Sequence, residues 1–318
     1  MNKLIAVSIG DINGIGIKIL IKEWKNNNIN NFVLFTNLKL INKYISKNKI
    51  NIKINDYSEN YKFKKNELNI FNIKAKNNYF NSYNSLIETY KYVKKNKFIG
   101  IVTLPINKYL ITKKINKNFV DQTEFFKKID NKKINNMIFI YKNKFFTPLT
   151  THIKLEKVSS EFANQKRIYN KIIILDKSLK KDFNILNPKF IIAGINPHSG
   201  EGGIIGKDEI INLIPIIKRL KKNKINITGP KSADTMVNKN NLKKFDCFIF
   251  GYHDQALIPF KLISNHSGIN FTSNLNIIRT SPDHGTAYDL VKKGTFSSNG
   301  LLNSFKILRK IHKNRLSN

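Results

Sequence analysis

Residues 5–16, Ile5-Ala6-Val7-Ser8-Ile9-Gly10-Asp11-Ile12-Asn13-Gly14-Ile15-Gly16, run an apolar strand straight into a glycine turn. Glycines between a strand and a helix permit positive φ and close approach of the backbone to a ligand. Gly10, Gly14 and Gly16 do not carry the G-x-G-x-x-G spacing of a dinucleotide-binding Rossmann unit, so that fold is rejected. A plain βα turn uses the same glycines, and the motif alone names no ligand. Strand-like apolar runs continue at 3–9, 32–36, 98–103, 136–141, 189–194 and 246–251. Amphipathic stretches such as 81–95, 154–186 and 207–222 lie between them. Short strands alternating with helices predict an α/β fold. Within 81–95, Leu86, Tyr90 and Val93 recur at helical spacing and mark a core face rather than a site.

The 318 residues are enough for one large or two moderate domains, and 41% hydrophobic with 24% charged residues is ordinary globular composition. No apolar run approaches the ~18 residues of a membrane span. Met1–Ser8 lacks the apolar core and small-residue cleavage site of a signal peptide, so no targeting and a cytoplasmic location are expected. A single cysteine, Cys247 in an apolar run, excludes an intrachain disulfide and a cysteine zinc cluster, and a buried inert thiol in a reducing compartment is expected. The net charge of +35 raises nucleic-acid binding. Yet the lysines are spread along the chain with an excess of Asn and Ile, as A/T-rich codons would give. Arginine, the residue of bidentate phosphate and base contacts, is scarce. No specific nucleic-acid partner is expected.

Three of only six histidines sit just past strand-like runs, in Thr150-Thr151-His152, Asn196-Pro197-His198 and Tyr252-His253-Asp254. Each alone is more often a loop or core histidine. Together they suit a divalent-metal site with three protein ligands and an open position. The glycine-rich Asn196–Gly203 loop has little stability of its own and orders more readily around a ligand. Asp254 is placed to orient a histidine by hydrogen bonding. Thr103-Leu104-Pro105-Ile106-Asn107-Lys108 either presents donors to an anion or caps a helix. Asp121, with Glu124 three residues on, reads as a helix start beside Gln122 and Thr123. Arg279, in Arg279-Thr280-Ser281-Pro282-Asp283-His284-Gly285-Thr286-Ala287, is a fork donor suited to phosphate or carboxylate.

In this order, from Gly10 to about Leu290, these segments resemble the 4-hydroxythreonine-4-phosphate dehydrogenases of pyridoxal-phosphate biosynthesis. The resemblance implies a two-domain αβα fold of the isocitrate/isopropylmalate dehydrogenase-like class. One discontinuous domain would take 1–118 plus 262–318 with the NAD-binding elements, and 119–261 a second domain with metal ligands and dimer contacts. It further implies a homodimer with the site at the subunit interface. Residue by residue, His152, His198 and His253 match the metal ligands, for one divalent ion (zinc, magnesium or cobalt). Gln122, Thr123, Lys261, Asn270 and Arg279 match substrate positions. Lys261 and Asp254 stand nearest the proton chemistry, and His284, Gly285, Thr286 and Ala287 match the loop for NAD or NADP. The reaction implied oxidises 4-phosphooxy-threonine to a 2-amino-3-oxo acid, which then loses its carboxylate. Gln122 departs from the family, which usually has histidine there; Ile12-Asn13 replaces Pro-Ala, and Lys18 replaces Glu. Gln keeps a donor and an acceptor but does not titrate near neutrality. Two alternatives stay open: a dehydrogenase of phosphorylated sugar acids such as threonate or erythronate 4-phosphate, and a basic binding protein on a catalytically decayed scaffold.

Overall fold

The apolar runs become buried strands, all but 136–141 parallel to their neighbours, in a computed structural model that describes residues 4–294 and 296–317. Lys3, the first residue of the predicted strand 3–9, lies outside them. In chain order the strands are β1 (Ile5–Ser8), β2 (Phe32–Thr36), β3 (Ile54–Asp56), β4 (Leu68–Asn72), β5 (Ile101–Thr103) and β6 (Met137–Tyr141). They continue as β7 (Lys144–Pro148), β8 (Lys189–Ala193), β9 (Asn226–Lys231), β10 (Cys247–Phe250), β11 (Ile269–Thr272) and β12 (Arg279–Pro282). The expected α/β class is the one observed. All six predicted runs hold strands: 32–36 coincides with β2, and the other five are shortened at their ends.

Contacts divide the chain into Met1–Asp130 with Leu275–His312, and Asn131–Asn274 with Lys313–Asn318. Residues 119–130 therefore pack in the first unit and 262–274 in the second.

In the first unit the strand order is β3-β4-β2-β1-β5-β12, with all pairings parallel. This is not the usual Rossmann order 3-2-1-4-5-6. β1, β2 and β5 are buried along their whole length, as parallel strands covered on both faces require. The helix Asn78–Lys94 buries Leu86, Tyr90 and Val93 in this unit's core, beside the stacked rings of Phe35 and Phe71. Gly10 turns the chain after β1 at φ +64°, and a Cβ there would lie 2.4 Å from the Pro105 carbonyl oxygen. Asp11 donates its N–H to that same oxygen at 2.7 Å. Glycine is required by both the conformation and the approach.

In the second unit the order is β11-β6-β7-β10-β8-β9. β11, β6 and β7 pair antiparallel, whereas β7, β10, β8 and β9 run parallel. Phe146 of β7 stacks on Phe248 of β10 at 4.9 Å between centroids. Cys247 is fully buried, as its apolar setting predicts. The charged stretch 154–186 forms the helices Val158–Ala163 and Gln165–Phe183, with Val158 and Ile168 buried as anchors.

Candidate active site

β7, β10 and β8 are neighbours and run parallel, so their carboxyl ends lie on one edge of the second unit's sheet. Each of the three histidine segments leaves one of these ends. Ligands of open α/β sheets bind outside the carboxyl ends of strands. Two side chains stitch the segments together. Thr150 donates its N–H (3.1 Å) and its hydroxyl (2.7 Å) to the Gly251 carbonyl. Gln255 accepts from the Gly251 N–H at 2.7 Å and donates to the Gly194 carbonyl at 3.0 Å.

His253 is the first residue of the helix His253–Ser264, and its Nδ1 lies 2.7 Å from Asp254 Oδ1. That contact fixes the ring and leaves Nε2 as the outward nitrogen. The His152 ring lies 5.5 Å from the His253 ring, centroid to centroid. Two imidazoles at that spacing can share one ion, whose bonds to nitrogen are about 2.0–2.1 Å. His198 is exposed on the neighbouring loop. Among the described residues, no three His, Cys, Asp or Glu side chains of one chain are gathered as a ligand set.

The loop bearing His198 is left-handed throughout: His198, Ser199, Gly200, Glu201, Gly202 and Gly203 all have positive φ. Such a run, with three non-glycine members, persists only when its surroundings over-determine it. The buried Glu209 carboxylate supplies the determination. Its Oε1 accepts from the Ile195 N–H (2.6 Å) and the Asn196 N–H (2.8 Å), and its Oε2 from Asn196 Nδ2 (3.0 Å). Asp208 accepts from Asn196 Nδ2 at 2.9 Å and from the Ser159 hydroxyl. Burial works to raise the Asp208 pKa, but the Ser159 and Asn196 hydrogen bonds outweigh it and hold the carboxyl below its ordinary value. These two acids lie near the start of the stretch predicted to be helical at 207–222. That helix instead opens with a π turn, Glu209–Leu213. Glu209→Ala orphans two part-buried backbone N–H groups and is expected to cost about 2–5 kcal/mol. Urea unfolding measures this, and a loss below ~1 kcal/mol would remove Glu209 as the anchor.

The first unit gathers a second group of predicted residues around Arg279, which is 2% exposed on β12. Its Nε and Nη2 donate to the Thr103 hydroxyl at 3.1 and 2.8 Å. Nη2 also donates to Gln122 Oε1 at 2.5 Å, and Nη1 to the Thr123 hydroxyl at 3.4 Å. Gln122 Nε2 donates to the Leu104 carbonyl at 3.0 Å. Gln122 thus uses both ends of its amide, accepting from the guanidinium and donating to the backbone. Asp121 caps the helix Gln122–Ile129, accepting from the N–H groups of Thr123 and Glu124, as expected. Burial pushes the Arg279 pKa down to about 10, and the nearby Asp121 charge opposes the shift. Thr103 was predicted only as part of an anion-facing or capping turn. Asn107 takes the capping role, accepting from the Leu110 N–H at 3.1 Å, and Thr103 holds the arginine.

Lys261 is exposed two turns beyond His253 on the same helix. Asn270 stands on β11, and its buried Oδ1 has no hydrogen-bond partner. An orphaned amide oxygen of this kind is what a substrate donor would satisfy. His284–Ala287 form a loop between β12 and the helix Tyr288–Lys293, with Gly285 exposed.

A sequence model of the family described as pyridoxal phosphate biosynthetic protein PdxA matches residues 28–308. The 4-hydroxythreonine-4-phosphate dehydrogenase of Sulfurihydrogenibium sp. is 31% identical over 301 residues, 91% of this chain and 92% of that protein. Its namesake from Bacteroides thetaiotaomicron is 34% identical over 216 residues, 68% of this chain and 59% of that protein. This second match therefore spans about three fifths of the relative's length. The crystal structure of the 4-hydroxythreonine-4-phosphate dehydrogenase from Klebsiella pneumoniae superposes with a TM-score of 0.81 at 25% identity, covering 98% of this chain and 99% of that one.

Proposed function

The chain belongs to the pyridoxal phosphate biosynthetic protein PdxA family, and on that premise we propose that it is a 4-hydroxythreonine-4-phosphate dehydrogenase acting in pyridoxine 5′-phosphate biosynthesis. The observation that carries the reading is the placement of His152, His198 and His253 at the carboxyl ends of three adjacent parallel strands. When bound, NAD or NADP supplies the hydride acceptor, and a divalent cation (zinc, magnesium or cobalt) supplies the Lewis acidity at the alcohol being oxidised.

The protein's own groups bind and orient. His152, His198 and His253 are the metal ligands, and Asp254 holds the His253 ring in the tautomer that presents Nε2. Arg279, braced by Thr103 and Gln122 beside the Asp121 charge, offers an anionic substrate group a preorganised partner together with Thr123. Asn270 supplies an amide to the substrate. Lys261 holds a negative group or exchanges a proton with the alcohol. His284, Gly285, Thr286 and Ala287 hold the dinucleotide.

The reading includes a homodimer with the site shared between copies, since the described residues of one chain bring His152 and His253 together but do not gather all three imidazoles. Leu155, Ile204, Ile211, Ile258 and Leu262 of the second unit, exposed between 59% and 87%, flank the histidine segments in sequence and offer apolar surface for that contact. No described helix is long and apolar enough to cross a membrane. The lysines are spread along the sequence, and a cytoplasmic location is part of the same reading.

A second reading keeps the chemistry and changes the substrate to a phosphorylated sugar acid such as threonate or erythronate 4-phosphate. The observation behind it is Gln122, whose amide is committed to Arg279 and Leu104. Comparing turnover of 4-hydroxythreonine 4-phosphate with both sugar-acid phosphates separates the two. The first reading expects kcat/KM at least about tenfold higher for the amino acid, whose C2 ammonium makes charge-assisted hydrogen bonds that the sugar acids' neutral hydroxyl does not. Preference for either sugar acid overturns it.

A further inference from the structure

The glycine turn has a tenant. The backbone N–H of Ile15, at the start of the helix Ile15–Lys25, donates to the Thr286 carbonyl at 2.9 Å. This is the place where a Rossmann unit would offer its N–H groups to a pyrophosphate. Gly14 makes the approach feasible, because a Cβ there would lie 3.1 Å from the Thr286 carbonyl oxygen and 3.3 Å from its Cβ. One turn further along, Lys18 Nζ donates to the Val291 carbonyl at 3.1 Å. The other side of the segment is tied down by Tyr288, whose hydroxyl donates to Asp11 Oδ2 at 2.6 Å and accepts from Asn107 Nδ2 at 2.9 Å. Asp11 is 4% exposed, and its Oδ1 accepts from Asn78 Nδ2 (2.7 Å) and the Asn13 N–H (2.9 Å). A buried carboxylate held by three side-chain and backbone donors is a rigid post. The outer side of the loop is open, with nothing within 4 Å of a Cβ built on Gly285.

We propose that Asp11, Gly14 and Tyr288 are positioning residues for the dinucleotide: they clamp the 284–287 loop onto the glycine turn and preset it for the cofactor. The turn serves the cofactor indirectly, as a seat for a loop and not as a cradle for phosphate. Its spacing then reflects packing against Thr286, which explains why it departs from the dinucleotide fingerprint. The proposal rests on the reading of His284–Ala287 as the dinucleotide loop.

The test uses Tyr288→Phe, Gly14→Ala and His284→Ala in the full chain, with NADH affinity read by fluorescence titration and steady-state kinetics run with NAD varied. In Tyr288→Phe and Gly14→Ala, Kd for NADH and KM for NAD are expected to rise about tenfold, the cost of losing one hydrogen bond to a charged group or of displacing the loop. kcat and KM for the phosphorylated substrate stay within about twofold, a split that a general structural defect would not give. Amide exchange across 283–290 speeds up in both. If His284→Ala weakens NADH binding while Tyr288→Phe and Gly14→Ala do not, the clamp is overturned and the loop assignment stands. If none of the three changes NADH affinity, the loop assignment itself fails and takes the clamp with it. A parallel loss of kcat and both KM values in Tyr288→Phe also overturns the proposal.

Discussion

Replacing His253 by alanine is expected to lower metal-supported kcat/KM by more than about 100-fold, because removing even an outer partner of a metal ligand costs 10–100-fold. His253 begins a helix, is half-buried, and contacts Asp254 and the His152 ring without entering the core. Its loss should leave Tm within about 2 °C of the parent, as surface substitutions do. The pairing of those two outcomes carries the information. Full turnover in a folded variant removes His253 from the metal site. Collapse of Tm together with activity assigns it a structural role instead.

Arg279→Met is expected to lower kcat/KM by roughly 10²–10⁴-fold, the equivalent of two charge-assisted hydrogen bonds at about 1.5–3 kcal/mol each. Its effect on stability should be far smaller. A base whose folded pKa is lowered to about 10 binds fewer protons folded than unfolded above that pH, so stability rises with pH from there up to the ordinary arginine range. At neutral pH the whole penalty is present, about 3 kcal/mol. Methionine removes that penalty while stranding the Thr103 hydroxyl and Gln122 Oε1, and the two effects oppose each other. Inorganic phosphate, offering the guanidinium an anion, should raise the parent's Tm and leave that of Arg279→Met unchanged. A phosphate shift of equal size in both proteins would show that the anion binds elsewhere.

What was legible in the sequence follows physical lines. β1, β2, β5, β6, β8 and β10 are continuous apolar runs, since a strand covered on both faces has no polar side to disguise it. β12, Arg279-Thr280-Ser281-Pro282, is just as buried but polar, and its side chains are satisfied by partners far away in sequence, such as Thr103 and Gln122. No local pattern announces such a strand. β3, β4 and β9 were hidden for a different reason: asparagine and lysine mask their alternation. The histidine segments were readable because their glycines and polar neighbours follow strands directly. The anchors were not. Glu209 looks like any acid in the first turn of a helix, and Asp11 like any turn residue. Their work lies in hydrogen bonds to Asn196, Asn78 and Tyr288, which only the folded chain brings close.

Gln122 illustrates the limit of reading one residue at a time. As a departure from histidine it raised the question of lost proton chemistry. In place, its amide oxygen faces Arg279 and its amide nitrogen faces the Leu104 carbonyl, the acceptor-and-donor pattern a neutral imidazole could also offer. Its amide does not titrate, so it holds that pattern across the neutral pH range.

The central claim is tested most directly by following NADH formation from 4-hydroxythreonine 4-phosphate and NAD, in chelator and after adding back zinc, magnesium or cobalt. The predicted result is turnover that stops in chelator and returns with a divalent cation. Undiminished NADH formation in excess chelator, or none with any of the three metals, would contradict it.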